Sequence, residues 1–163
     1  MSTDTARLLD PIGRLPLVAL QEDVRRTYSE LDARVGLSPP AVAERIRRLE
    51  EAGVITGYRA QIDLARVGLP ITAFIRCTCS GPQIDAVARE APEVLECHRI
   101  TGSDAFTLKV VVSSVAHLEA LIDRFLPFVQ PTTSIVLSSP VPVRGAMSHG
   151  SWVVGREITM GRT

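Results

Sequence analysis

Three arginines, Arg45, Arg47 and Arg48, crowd into four consecutive positions directly after Glu44. Guanidinium groups so placed have two chemistries open to them, pairing with backbone phosphates or bidentate hydrogen bonding to the edge of guanine. Whether they are available depends on the element that carries them. Val42, Ile46 and Leu49 recur at helical spacing, which predicts a helix with one apolar side and with Ala41, Glu44, Arg45 and Arg48 on the other. Ser38 is a good N-cap, Pro39 suits the first turn, and Gly53 ends the helix. Upstream, Thr27 and Glu30 form a capping box, Leu31 and Val35 supply a second apolar stripe, and Gly36-Leu37 makes the tight turn between the two helices. This is a helix-turn-helix pattern. Spacing alone leaves two readings open. Either the second helix enters a major groove with its N-terminal residues at base edges, or the pair is a helical hairpin whose arginines are merely solvated.

The chain changes character near residue 58. Val54 to Ile62 reads as a short extended segment, and Asp63 to Pro70, with Gly68, reads as a hinge. From Ile71 the order is a strand ITAFIRCTC, a helix QIDAVAREA, a strand VLECHRIT, a turn at Gly102, a strand FTLKVVV, a helix VAHLEALIDRFL and a strand TTSIVLS. That order is the split β-α-β of a ferredoxin-like sandwich, with both helices on one face of an antiparallel sheet. Ile84, Val87, Ala88 and Ala91 face the sheet from the first helix, and Val115, Leu118, Leu121, Ile122 and Phe125 from the second. Strand residues on both sides are largely apolar or small, among them Phe74, Ile75, Leu108, Val110, Val111, Val112, Ile135 and Val136. A broad patch is therefore expected on the uncovered face, closed by a partner subunit.

The sulfur and imidazole groups invite other chemistry. Cys77 and Cys79 share a strand face and Cys97 adjoins His98, the residue types of a zinc or redox site. In the usual ferredoxin-like order the strand of Cys97 is not adjacent to that of Cys77, and no C-x-x-C or H-x-x-x-H spacing exists, so buried structural thiols are expected and neither metal nor cofactor. His98, His117 and His149 are scattered, and there is no nucleophile elbow, phosphate-binding glycine loop or clear carboxylate pair, so no enzyme activity is expected.

Composition bounds the function. With 163 residues, 45% of them hydrophobic, the chain can bury one or two small cores, and no apolar run is long enough to span a bilayer, so no membrane partner is expected. The start MSTDTAR lacks a secretory signal, and three cysteines without framework spacing agree with a reducing compartment, which places the protein in the cytoplasm. Net charge is zero, and residues 1–60 hold nine arginines against nine acids, so any positive field must come from local clustering. One such unit would bind DNA weakly. Useful affinity needs two or more copies on one site, hence a homo-oligomer.

The span from about Leu9 to Ser138 resembles the Lrp/AsnC (leucine-responsive/asparagine-regulatory, feast/famine) family of transcription regulators. The resemblance is carried by LSPPAVAERIRRLEEAGVITGYRAQID, Gly68, PEVLECHRITG, LKV at Leu108 to Val110 and TSIVL at Thr133 to Leu137. It implies an α+β chain. Residues 1–58 would form a winged helix-turn-helix and 59–69 a linker, followed by a ferredoxin-like βαββαβ domain over 70–140 and an extension over 141–163. It further implies binding to double-stranded operator DNA, dimers that often assemble into rings, and a small effector, commonly an amino acid, bound between dimers. Carried over, Ser38, Pro39, Pro40, Ala41, Glu44, Arg45 and Arg48 would face DNA, with Arg45 reading a base and Arg48 holding a phosphate, or the reverse.

The chain departs from the family pattern at informative places. Gly13 stands where an aspartate is usual, and Pro16 where a core isoleucine or leucine is usual. An interior proline costs about 3 kcal/mol in a regular helix, so the first helix is expected either to start late or to kink. Asp32 replaces the usual alanine and must find solvent or an arginine. Ala105 replaces the usual aspartate of the effector loop, with Asp104 one step away, and Pro131 replaces the first threonine of a T-x-T, leaving Thr133. The effector candidates are Gly102, Ser103, Asp104 and Thr133. Losing two polar groups predicts an altered ligand, weak binding or none, and the alternative is an ordinary hairpin turn. A degenerate DNA unit on an effector-binding scaffold is one rival function. Another is a sirohaem-decarboxylase-like enzyme, which is similar in domain order. The five basic and seven acidic residues between Pro70 and Pro140 disfavour a many-carboxylate tetrapyrrole. Val141 to Thr163, with Pro142, Gly145, Gly150, Gly155 and Gly161, is expected to be mostly irregular or disordered, the alternative being that Trp152-Val153-Val154 adds an edge strand or clamps a neighbouring subunit.

Overall fold

The computed structural model describes residues 7–78, 84–141, 143, 145 and 146, without the side chains of 34 and 35, so Cys79, Trp152 to Val154 and the Val35 side chain lie outside the described residues. Two compact units divide between Ala60 and Gln61.

The first unit is built on helices α1 (Pro11–Glu22), α2 (Tyr28–Val35) and α3 (Pro39–Glu51). Asp10 caps α1, its Oδ1 accepting from the Gly13 N–H at 2.6 Å, and Pro11 opens the first turn. Of the two outcomes expected from Pro16, the late start does not occur: Pro16 stands inside α1 and is fully buried. Its ring gains burial at the expense of one intrahelical hydrogen bond, the one its missing N–H would have given the Ile12 carbonyl. The capping box at Thr27 and Glu30 is formed, and Gly36 ends α2 in the left-handed conformation at φ 68°, where a side chain would be strained. Ser38 occupies the N-cap of α3, but its hydroxyl makes no capping bond. Ala19, Leu31, Val42 and Ile46 form one core cluster, and Leu9, Leu17 and Leu49 another. Each buried leucine, valine or isoleucine among them contributes about 1.5–3 kcal/mol, which is how a helical unit this small holds together. Asp32 is only half-buried, so water reaches it. Val54 to Ile62 carries no assigned strand.

The second unit contains β1 (Ile71–Thr78), α4 (Ile84–Glu90), β2 (Val94–Arg99), β3 (Phe106–Val112), α5 (Val115–Phe125) and β4 (Gln130–Ile135). The sheet order is β2-β3-β1-β4, and every pairing is antiparallel. Ala73, Ile75, Cys77, Leu108, Val110 and Val112 face the helices and pack with Ile84, Ala88, Leu118, Leu121 and Phe125. Val115 does not join them. It is 63% exposed at the first position after the Ser114 cap, before α5 has turned its apolar side to the sheet.

Register settles the other face. Thr72, Phe74 and Arg76 pair with Val111, Lys109 and Thr107 on one side, while Ser134 and Thr132 lie opposite Phe74 and Arg76 on the other. The broad apolar patch expected there is thus reduced to the exposed Phe74 and the half-buried Val136 among polar neighbours, because strict alternation sends Ile75, Leu108, Val110 and Val112 to the helices and Val111 is itself buried. Glu93, before β2, straps the turn to α5: its carboxylate meets His117 Nε2 at 3.1 Å and accepts from Arg124 Nη2 at 2.7 Å. Burial raises the Glu93 pKa, but its backbone hydrogen bond, His117 and Arg124 together outweigh burial and hold it below the usual carboxylate value. His117 also meets Ser113 Oγ at 3.1 Å, so it is not isolated as its position in the sequence suggested. With its carboxylate member shared by a guanidinium, the trio reads as a strap for α5.

Candidate nucleic-acid interface

Helix α3 buries Val42, Ile46 and Leu49 and turns Ala41, Arg47 and Arg48 to solvent. Ser38 and Pro40 at its start are exposed, and Pro39 is half-buried. Ala41, Glu44, Arg45 and Arg48 line a groove of about 440 Å³ together with Leu37, Leu8 and Arg7. The structure thus brings together four of the expected DNA-facing residues and adds a cation, Arg7. Arg7 precedes every recognisable helix signal, and only the path of the chain into α1 carries it to the groove.

Arg45 is not a free cation on this face. Its Nη2 donates to Asp10 Oδ1, the same oxygen that caps α1 through Gly13, and its side chain is only 24% exposed. The backbone N–H of Gly13, followed by the Arg45 guanidinium, holds the Asp10 carboxyl below the usual range. Gly13 makes this possible. A Cβ there would stand 2.6 Å from Arg45 Nη2, 2.9 Å from its Nε and 1.9 Å from the Leu8 carbonyl oxygen. The glycine in place of an aspartate is therefore a space requirement, and Asp10 supplies the carboxylate from one turn earlier. Arg45 Nε is buried without a hydrogen-bond partner among the described residues, which shows how closely the guanidinium is packed.

The other arginines share one acid. Glu44 Oε1 accepts from Arg47 Nη2 and from Arg48 Nε, each at 2.8 Å, and Glu44 Oε2 accepts from Arg47 Nε at 2.9 Å. Arg47 also reaches Glu51. The side-chain bonds from Arg47 and then Arg48 draw the Glu44 pKa down to about 2. Because this lies below the ordinary 4.5, the stabilisation from the fork is complete above 4.5 and is lost as pH falls through about 2. At neutral pH Glu44 therefore screens the face. Glu44→Gln is expected to raise affinity for unrelated duplex roughly two- to fivefold and to reduce discrimination between duplexes, measured by competition binding.

In the sheet unit, Gly102 adopts φ 116°. Asp104 accepts from Thr78 Oγ1 at 3.1 Å and lies 3.9 Å from Arg76 Nη1. The Ala105 N–H is spent on the Cys77 carbonyl at 2.9 Å. Thr133 pairs with Ile75, so it and the Gly102 to Asp104 loop flank the same strand from opposite sides. Cys77 is buried and Cys97 is exposed, which corrects the expectation of buried thiols for Cys97: as an edge strand β2 leaves that side chain open. Burial of its sulfur nonetheless raises the Cys97 pKa.

The two units match two known domains. Residues 9–50 fit the AsnC-type helix-turn-helix domain, and residues 72–145 fit the Lrp/AsnC ligand binding domain. The chain belongs to the Lrp/AsnC family. It is similar to an uncharacterized HTH-type transcriptional regulator, YezC, of Bacillus subtilis, with 46% identity over 74% of this chain and 87% of that protein. It is also similar to the leucine-responsive regulatory protein of Salmonella typhimurium, with 33% identity over 82% and 87%. Among solved structures, a feast or famine regulatory protein (Rv3291c) of M. tuberculosis complexed with L-methionine superposes with TM-score 0.79 at 36% identity, covering 84% of this chain and 97% of that one. B. subtilis LrpC gives TM-score 0.77 at 30% identity, covering 80% and 96%. As an Lrp/AsnC protein the chain is a DNA-binding transcription regulator.

Proposed function

We propose that this regulator reads an operator through the start of α3, with Ser38, Pro39, Pro40, Ala41 and Glu44 near base edges and Arg48 on a phosphate. It works as a homo-oligomer in the cytoplasm, joined through the sheet unit, and is tuned by a small effector such as an amino acid near Gly102, Ser103, Asp104 and Thr133. The observation that carries the reading is the coincidence of the matched helix-turn-helix segment with an α3 whose N-terminal face stands open to solvent. The L-methionine held by one structural neighbour supports an amino-acid effector. The relatives' names as transcription regulators support a role without catalysis. No described helix is long and apolar enough to cross a membrane.

Protection mapping on the intergenic DNA beside its own gene, repeated with a panel of amino acids, tests this reading. Protected segments about 10–10.5 base pairs apart or at multiples of that spacing are expected, shifting with at least one amino acid. Absence of protection at low salt would overturn it. Arg48→Ala is expected to weaken all duplexes alike, roughly three- to tenfold, and to flatten the salt dependence of log K by about 0.9. An unchanged slope would remove Arg48 from the phosphate role.

A further inference from the structure

We propose that Arg45 is a positioning residue that fixes the recognition helix against the start of α1 and does not read a base, leaving DNA to Arg48 and Arg7. This rests on the DNA-binding reading above, and it departs from both roles expected for Arg45 from the sequence, reading a base or holding a phosphate.

The geometry separates the two arginines of α3. Arg45 Nη2 lies on Asp10 Oδ1, and that oxygen is also the N-cap of α1 through Gly13. One oxygen atom therefore joins the two helices, and its guanidinium partner fills the space left by the missing Cβ of Gly13. For Arg45 to reach a base it must abandon Asp10, which would leave an unpaired carboxylate beside the phosphates of the incoming duplex. That exchange replaces one charge-assisted contact with another and adds a repulsion. Arg48 has no such obligation. Its side chain is 61% exposed, and its partner Glu44 keeps Arg47 when Arg48 leaves. Arg7 enters the same groove from the chain just before α1. The cations free to grip DNA thus flank a cation that is not.

The test uses the full chain with Arg45→Ala, Asp10→Asn and the double substitution. Asparagine still caps a helix N-terminus, so Asp10→Asn chiefly removes the charge that Arg45 needs. Thermal melting is followed first. Each single change is expected to lower the melting temperature by several degrees, and the double change is expected to lower it little further, as for two partners of one contact. Selection from a randomised duplex pool, well below every melting temperature, is the second readout. Both singles are expected to weaken binding to all selected duplexes by a similar factor, roughly three- to tenfold, while the base preference at every position is kept. Loss of preference at one base pair in Arg45→Ala but not in Asp10→Asn would overturn the proposal, as would melting shifts that add. If the unaltered chain selects no duplex, the DNA-binding reading fails, while the melting cycle still decides whether Arg45 and Asp10 act as one unit.

Discussion

Phe125→Ala is expected to unfold the sheet unit while leaving α1 to α3 folded. Phe125 is fully buried at the centre of the contact between α5 and the sheet, beside Leu121, Leu118 and Ile75. Truncating a buried phenylalanine costs about 3–5 kcal/mol, a large part of the 5–15 kcal/mol that holds a typical domain together. Among the described residues its core partners all belong to the sheet unit, so the two units should respond separately. Limited proteolysis is expected to degrade the sheet unit, residues 61–140, and to spare α1 to α3. With subunits joined through the sheet unit as proposed, DNA affinity should fall with it, by as much as about 10²–10⁴, because two helix-turn-helix units that are no longer joined lose their effective concentration on one site. Unchanged affinity alongside an unfolded sheet would place the subunit contact elsewhere.

Gly13→Ala is expected to damage the DNA-binding unit selectively. In an ordinary helix the change is favourable by about 1 kcal/mol through helix propensity. Here the new methyl meets the Leu8 carbonyl at 1.9 Å and Arg45 Nη2 at 2.6 Å. The guanidinium can swing away, but the carbonyl is backbone and can move only with the chain entering α1. Overpacking of this kind costs about 1–3 kcal/mol and outweighs the propensity gain of about 1 kcal/mol, so a net loss of up to about 2 kcal/mol is expected in the transition of the helical unit alone. The same methyl displaces Arg45 from Asp10, so DNA affinity should drop even at temperatures where the variant is folded. A variant more stable than the natural chain would show that the gap at Gly13 is not a packing requirement.

These outcomes separate what is local in the chain from what is not. The capping box of Thr27 and Glu30, the turn at Gly36 and the apolar stripe of Val42, Ile46 and Leu49 depend on residues within a turn or two of each other, and each stands as expected. The strand and helix order after Ile71 was legible for the same reason, since periods of 2 and 3.6 are written in consecutive residues. Pro16 shows the limit of local propensity. Its cost argued for a late helix start or a kink, and the late start is avoided because burial of the ring and the cap at Asp10 keep α1 running from Pro11.

The sequence by itself determined the element order, the family and the residues that begin the recognition helix, because helix caps and hydrophobic periodicity act between near neighbours. Tertiary structure alone decided that Arg45 belongs to Asp10, thirty-five positions away, and that Cys97 is open. It also decided that the uncovered sheet face is mixed, with Phe74 between Lys109 and Ser134. Each of these depends on which segment becomes a neighbour in space, and no local pattern in the chain records that choice.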